Sequence, residues 1–264
     1  MTKYGNNILQ LAGTIKEVEL AYTDEEREEK FYRLYLEVER LSDTVDILQL
    51  ICSEKLLYDV KHEPGTYVSV KGYVRTRNYS DEEGHSHLSV FGYVADIVET
   101  DAVNPKDNNE VYLVGVICRP VRNRKTTKTN REITDMIVAV DRPYRRRDYI
   151  PCIAWSRNAT LAGNREVGDE VEIKGRFQSR QFTKRETGEV FTIHEVSIVD
   201  LRVISECDDK EEDSDIIDEE TQEVVEQEPS IVEVLQEEVE AEERAQKVKE
   251  ESTAEEVQKD DQQE

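Results

Sequence analysis

Residues 168–182 carry the clearest chemical pattern in this chain. Apolar Val171, Ile173 and Phe177 alternate with polar residues, and a period of two places them on one face of a β-strand. The other face carries cationic, amide and aromatic side chains, namely Arg176, Gln178, Arg180 and Phe182. Cations and an amide suit a sugar-phosphate chain, and an aromatic ring suits an unstacked base. Taken alone, the stretch is also compatible with a solvated strand face that carries one isolated ring.

The same pattern occurs a second time earlier in the chain. Gly65 and Tyr79 precede Gly168 and Phe182 by 103 positions. Residues 6–13 match residues 108–115 at an offset of 102, and residues 38–40 match residues 140–142 at that same offset. Matched landmarks in one order indicate a duplicated domain. Two copies of about 100 residues each predict two small domains in tandem rather than a solenoid.

Each copy predicts five strands with a short helix between the third and the fourth. In the first copy the strands are expected at 8–18, 31–40, 45–52, 66–79 and 87–98, with the helix at 53–60. In the second copy they are expected at 111–118, 133–140, 149–155, 168–182 and 190–204, with the helix at 158–164. This order is typical of a five-stranded Greek-key barrel of the oligonucleotide-binding (OB) type.

We therefore predict an all-β chain that consists of two tandem OB-fold Greek-key barrels and a tail. The predicted boundaries are 1–103 for the first barrel, 104–109 for a linker, 110–205 for the second barrel and 206–264 for the tail. The tail is acidic and lacks aromatic residues, a composition that predicts a disordered or partly helical segment.

Charge distinguishes the two copies. The chain has a net charge of −25, yet residues 106–205 carry +5, against −9 for residues 1–105 and −21 for the tail. A polyanion is therefore expected to bind the second copy. After its first strand come six cations without an acid: Arg119, Arg122, Arg124, Lys125, Lys128 and Arg131. We predict a flexible loop that contacts phosphates, with a general solubility surface as the alternative.

A second basic run and several aromatic rings occur in the same copy. The basic run comprises Arg142, Arg145, Arg146 and Arg147, and the rings are Tyr144, Tyr149, Trp155, Phe182 and Phe191. Base stacking on such rings tolerates any base, so it gives affinity without sequence preference. Trp155 follows apolar Ile153 and Ala154, so partial burial in the core is the alternative for this ring.

Three ordered segments, residues 138–144, 148–155 and 171–182, resemble the bacterial single-stranded DNA-binding protein family. The resemblance is good over residues 108–204 and weak over residues 6–99. It implies an OB barrel that binds single-stranded DNA, with four barrels assembled as a homo-oligomer; for this chain that means a dimer of two-barrel chains. It places Tyr144, Tyr149, Trp155 and Phe182 at stacking positions and Arg176 and Arg180 on the fourth-strand face. Arg75, Arg77 and Tyr79 are their weaker counterparts in the first copy.

The function predicted from the resemblance is single-stranded DNA binding, largely without sequence preference, during replication, recombination and repair. The expected location is the bacterial cytoplasm at the nucleoid. For the acidic tail, the functional predictions are contact with replication or repair proteins and competition with DNA for the basic loops, and a solvated, partly helical segment is the alternative. The first copy has an acidic first loop and no tryptophan, so its role is either DNA contact or oligomerisation. A protein-interaction scaffold and a primosome-type or RNA-binding barrel protein are the alternatives.

Catalysis, a cofactor and a metal site are not predicted. The four histidines are scattered, and His85 and His87 fit a solvated turn better than a metal site. The four cysteines lack the Cys-x-x-Cys spacing, so we expect reduced thiols. No apolar run is long enough to span a bilayer, so we expect a soluble protein without membrane contact.

Overall fold

The structure is a computed structural model that describes residues 5–42, 44–80, 86–126, 130–183 and 190–205. The predicted tail, Lys128, His85 and the side chain of Phe182 lie outside the described part.

The first half of the chain contains five strands and one short helix. These are β1 (Asn7–Asp24), β2 (Glu29–Glu39), β3 (Val45–Ser53), α1 (Glu54–Leu57), β4 (Tyr67–Ser80) and β5 (Ser86–Glu99). The helix begins after Ser53, whose hydroxyl accepts a hydrogen bond from the Lys55 N–H at 3.2 Å. A serine at this position satisfies an N–H group that has no partner inside the helix.

The second half has the same elements and one additional strand. These are β6 (Asn109–Ile117), β7 (Arg122–Lys125), β8 (Glu132–Arg142), a 3₁₀ turn (Pro143–Arg145), β9 (Arg146–Trp155), α2 (Arg157–Ala162), β10 (Glu170–Thr183) and β11 (Val190–Ser205). Strand β7 was not predicted. It is short and pairs with β8 alone among the described strands.

Strand pairing in the first half closes a five-strand barrel. Strand β1 pairs antiparallel with β2 and β4, β2 pairs with β3, and β4 pairs with β5. The ring closes through a parallel pairing of β3 with β5 at Leu50 and Gly92. The second half follows the same circuit through β6, β8, β9, β11 and β10, with a parallel pairing at Cys152 and Val196. The structure is thus mostly β with few helices, in agreement with the predicted fold class.

Side-chain alternation along the strands fills the interior. Val171, Ile173 and Phe177 of β10 are fully buried, as the period of two predicts, and Leu9 and Leu11 of β1 are buried in the same way. Gly13 and Gly115 allow a close strand approach, because a Cβ atom there would lie 2.2 Å from the Glu37 carbonyl oxygen and 2.4 Å from that of Ala139. Gly13 lies next to the point where β1 begins to pair with β2, and Gly115 lies next to the point where β6 begins to pair with β8.

The two halves are joined by an antiparallel pairing of β1 with β6. The pairing runs from Asn7 with Leu113 to Leu11 with Asn109 and makes the eleven strands one continuous sheet. Its centre is Leu9 opposite Val111, which are equivalent residues of the two copies. Equivalent residues that face each other are the mark of a two-fold contact, which here occurs within one chain.

Side-chain contacts repeat this two-fold relation. The Asn6 amide donates to the Asp141 carbonyl oxygen at 2.6 Å, and the Asn108 amide donates to the Glu39 carbonyl oxygen at 2.7 Å. Both partners are related by the offset of 102 found in the sequence. The duplicated residues therefore hold the two halves against each other.

Candidate nucleic-acid interface

The turn between β8 and β9 projects an aromatic ring into solvent. Tyr144 is 96% exposed, and both Tyr144 and Arg145 have left-handed backbones with φ of 66° and 57°. Residues other than glycine adopt this region at a cost in energy, so the three-residue turn between the paired Arg142 and Arg146 holds both residues in strained conformations. Arg145 and Arg146 of the same hairpin are exposed. The turn thus presents one ring beside two cations.

Two further rings lie along β9. Tyr149 and Trp155 are six residues apart, so they lie on one face of the strand, opposite the buried Ile150 and Cys152. Tyr149 is half-buried and Trp155 is 39% exposed. The tryptophan is therefore partly accessible at the surface and partly covered, so a stacking role stays a prediction.

The basic loop of the second half differs from the flexible loop that we predicted. Residues Arg122–Lys125 form β7 and pair with β8, which brings Asp135 and Glu132 next to the cations. The Arg124 guanidinium lies 2.7 Å from the Asp135 carboxylate, and the Lys125 ammonium lies 4.0 Å from Glu132. Strand pairing thus brings acids of β8 next to these cations. Arg119 and Arg122 are half-buried, and Arg131 is exposed.

The cations of β10 are also held by neighbours. The Arg180 guanidinium lies 3.5 Å from Glu195, a buried residue that also accepts a hydrogen bond from the Gln178 amide at 3.1 Å. Arg176 is half-buried and donates to the Lys106 carbonyl oxygen at 3.4 Å. The backbone of Phe182 pairs with that of Phe191, whose ring is 43% exposed. A buried carboxylate therefore fixes the polar face of β10.

Two of the predicted arginines of the β8–β9 hairpin form ion pairs with aspartates. Arg142 lies 3.3 Å from Asp148, and Arg147 lies 2.8 Å from Asp141. The hydrogen bond to Asp141 raises the pKa of Arg147, and the pair lies at the surface.

The first-half candidates divide into one internal residue and two surface residues. Arg75 forms an ion pair with Asp148 of the second half at 2.8 Å and lies over the Tyr73 ring at 4.7 Å. Arg77 and Tyr79 are exposed, and the Tyr79 ring centre lies 5.4 Å from that of His87. The structure thus brings Arg75 into the contact between the halves.

Asp46 and Asp148 are central to this contact, and the sequence analysis did not single them out. Asp46 accepts hydrogen bonds from Arg40 at 2.7 and 2.8 Å and from the Ser179 N–H of the second half at 2.7 Å. Asp148 accepts one from the Thr76 N–H of the first half at 3.0 Å. The bond to Asp46 raises the pKa of Arg40. The available signal was an acid at the same repeat position of an otherwise apolar strand.

The equivalent positions of the first half carry different surface groups. Because Asp46 corresponds to Asp148, Ile47 corresponds to Tyr149 and Ser53 to Trp155. The hairpin ion pair is reversed in sign, since Glu19 lies 2.6 Å from Arg33, the residue equivalent to Asp135. Hydrogen bonds from Arg33 and Tyr35 lower the pKa of Glu19. The first half thus has neither of these two rings nor the basic hairpin.

The described cysteines are protonated thiols. Burial raises the pKa of Cys52 to about 12 and that of Cys118 to about 11, so neither forms a reactive thiolate at neutral pH. Cys207 lies outside the described residues.

Two other classes of site were considered in the described ranges. There, His, Cys, Asp and Glu side chains do not gather in a group suited to a metal ion. The same part of the chain contains no helix with the length and apolar character needed to cross a membrane.

Sequence comparison addresses the second half directly. Residues 108–204 match the family model described as the single-strand binding protein family. Over these residues the second half is similar in sequence to that family. The matched range is the one over which the three ordered segments predicted the resemblance. Comparison with curated protein sequences gave no match.

Two solved structures that are similar to this chain are of one protein from Thermus aquaticus. The wild-type single-stranded DNA binding protein from Thermus aquaticus aligns with 78% of this chain and 97% of its own, at 19% identity and a TM-score of 0.60. A deletion mutant of that protein aligns with 80% of this chain and 100% of its own, at 18% identity and a TM-score of 0.59. At this identity the similarity shows the fold.

Proposed function

We propose that this chain binds single-stranded DNA, largely without sequence preference, through the surface of its second half. The observation that supports this most directly is the set of exposed rings Tyr144 and Trp155, with half-buried Tyr149, beside the cations of the β8–β9 hairpin. Rings take bases by stacking, and cations attract the phosphates between them. The family match over residues 108–204 supports the same function.

The chain is proposed to consist of two tandem OB barrels, residues 1–103 and 110–205, with a linker at 104–109. The repeated strand circuit supports this division. The Thermus aquaticus alignments also support it. The deletion mutant aligns with 80% of this chain, which is more than the 97 residues that match the family model, so the alignment includes part of the first half.

The assembly is proposed to be a dimer of two-barrel chains. Each chain already contains one two-fold contact between its halves, so two chains supply the four barrels that the family resemblance implies. Roles in replication, recombination and repair, a place at the bacterial nucleoid, and partners of the acidic tail belong to this proposal.

The test is a titration of the whole protein with an oligothymidine of about 35 bases, long enough to reach several barrels at usual site sizes. Trp155 is the single tryptophan of the chain, so its fluorescence reports on the proposed surface. We expect quenching at low salt and a binding constant that falls steeply as salt rises, because bound phosphates release counterions.

A matched oligouridine of the same length serves as the control for the type of nucleic acid. Weaker binding of the RNA is expected, and stronger binding would favour an RNA-binding protein, because the 2′-hydroxyl is the group that differs at the site. If neither polymer changes the fluorescence and gel shift shows no complex at low salt, DNA binding is refuted and a protein-interaction scaffold is favoured.

A further inference from the structure

Thr76 of the first half contacts two consecutive residues of β9 in the second half. Its backbone N–H donates to the Asp148 carboxylate at 3.0 Å, and its hydroxyl oxygen accepts a hydrogen bond from the Tyr149 N–H at 3.0 Å. Arg75 adds an ion pair to the same carboxylate at 2.8 Å, and Asp148 is completely buried. The backbone of a candidate stacking residue is thus fixed from the other half of the chain.

These contacts lie where β9 has few other partners. One edge of β9 pairs with β8 along its whole length, from Arg146 to Trp155. On the other edge, the pairing with β11 involves Cys152 and Ile153. Strand β4 of the first half supplies a hydrogen bond to the Tyr149 N–H at this edge.

The two-fold counterpart of this contact holds a different kind of residue. The Ser179 hydroxyl accepts a hydrogen bond from the Ile47 N–H at 3.1 Å, and the Ser179 N–H donates to Asp46 at 2.7 Å. In both contacts a hydroxyl accepts from a backbone N–H and a backbone N–H donates to an aspartate. The residue that Ser179 contacts is aliphatic, and the Ser179 hydroxyl also donates to Asp46 at 3.2 Å. The chain thus contains an internal control for the contact made by Thr76.

We propose that Thr76 is a positioning residue for single-stranded DNA binding, and that the first half acts on DNA by fixing Tyr149 in the second half. This inference depends on the proposed function. Tyr149 stacks on a base most favourably when its backbone is already immobile, since a ring ordered only on binding costs affinity. The first half thereby contributes to binding without touching the DNA at this position.

The experiment compares variants of the full chain by Trp155 fluorescence with oligothymidine at one salt concentration. Thr76→Val keeps the shape and removes the acceptor oxygen, and we expect binding about threefold to tenfold weaker. Thr76→Ser keeps the hydroxyl and should bind within about twofold of the natural protein. Ser179→Ala removes the equivalent bond to Ile47 together with the hydroxyl's bond to Asp46, and binding should still stay within about twofold.

A double-mutant cycle separates positioning from general destabilisation. Tyr149→Ala should weaken binding, and adding Thr76→Val to it should cause no further loss, because the two changes act through one ring. Thermal unfolding checks that each variant folds, and Thr76→Ala takes the place of Thr76→Val if the valine prevents folding.

The outcomes distinguish this inference from the function on which it depends. If the natural protein does not bind oligothymidine, the proposed function is refuted. If it binds and Thr76→Val has no effect, weakens binding no more than Ser179→Ala, or weakens it equally in the Tyr149→Ala background, positioning by Thr76 is refuted while DNA binding stands.

Discussion

The two halves of this chain share an internal frame and differ in what they present to solvent. The frame consists of the strand circuit, the asparagines and the aspartates that cross between the halves, all at one repeat offset. On the surface, the hairpin ion pair is Glu19 with Arg33 in one half and Arg124 with Asp135 in the other. Buried polar groups need their hydrogen-bond partners, whereas exposed groups tolerate change at little cost in stability.

The ring positions show the same contrast. The second half has Tyr149 and Trp155, where the first has Ile47 and Ser53. Ser53 caps α1 and hydrogen-bonds with Glu29, so it is part of the fold rather than a surface for bases. We infer that duplication gave two copies of one scaffold, of which the second carries the proposed binding groups.

The largest expected effect concerns the frame. Asp148→Ala leaves Arg75 and Arg142, which are 14% and 29% exposed, without their carboxylate, and we expect a loss of about 3–5 kcal/mol in the free energy of unfolding. Asp46→Ala affects one such arginine, Arg40 at 31% exposure, and should cost about 2–3 kcal/mol. Urea unfolding of both variants measures the difference. Equal losses would show that the second arginine adds nothing.

A smaller effect tests the difference in surface. Phe182 and Tyr79 occupy equivalent positions near the ends of β10 and β4. Phe182→Ala should weaken oligothymidine binding by about 1–3 kcal/mol, the value of one stacked base, and Tyr79→Ala should change the dissociation constant by less than about threefold. Fluorescence titration measures both. A comparable loss in the two variants would show that both halves bind bases.

The smallest effect is a pH dependence that the second half alone should contribute. His194 is hydrogen-bonded to the Ile47 carbonyl oxygen at 3.1 Å and replaces Val90 of the first half. Burial lowers the pKa of His194 below its usual 6.5, so the unfolded chain binds the proton more readily. Stability is then present above pH 6.5 and is lost as the pH falls from 6.5 towards the folded pKa.

The test of this dependence is His194→Val, which copies the first half. We expect it to flatten the slope of unfolding free energy below pH 6.5, which for one proton is at most about 1.4 kcal/mol per pH unit. Unfolding curves of the natural protein and the variant at several pH values measure the two slopes, and an unchanged slope in His194→Val would contradict the expectation.

Sequence periodicity predicted the strands, because burial of alternate side chains is a local pattern. The buried face of β10 was predicted in this way and is confirmed. Strand β7 was missed, because its four residues contain three cations and an amide and so lack any apolar alternation. Its pairing with residues 132–135 of β8 is visible only in the structure.

The sequence by itself determined the duplication, the strand order and the half that carries the cations and rings, because these depend on residue types and spacing. Only the tertiary structure decided that Arg124 is paired with Asp135 and that Arg75 is paired with Asp148. It also decided that Thr76 in one half fixes the backbone of Tyr149 in the other. The physical reason is distance along the chain: ion pairs and hydrogen bonds between strands depend on register and on the two-fold contact, which no local pattern specifies.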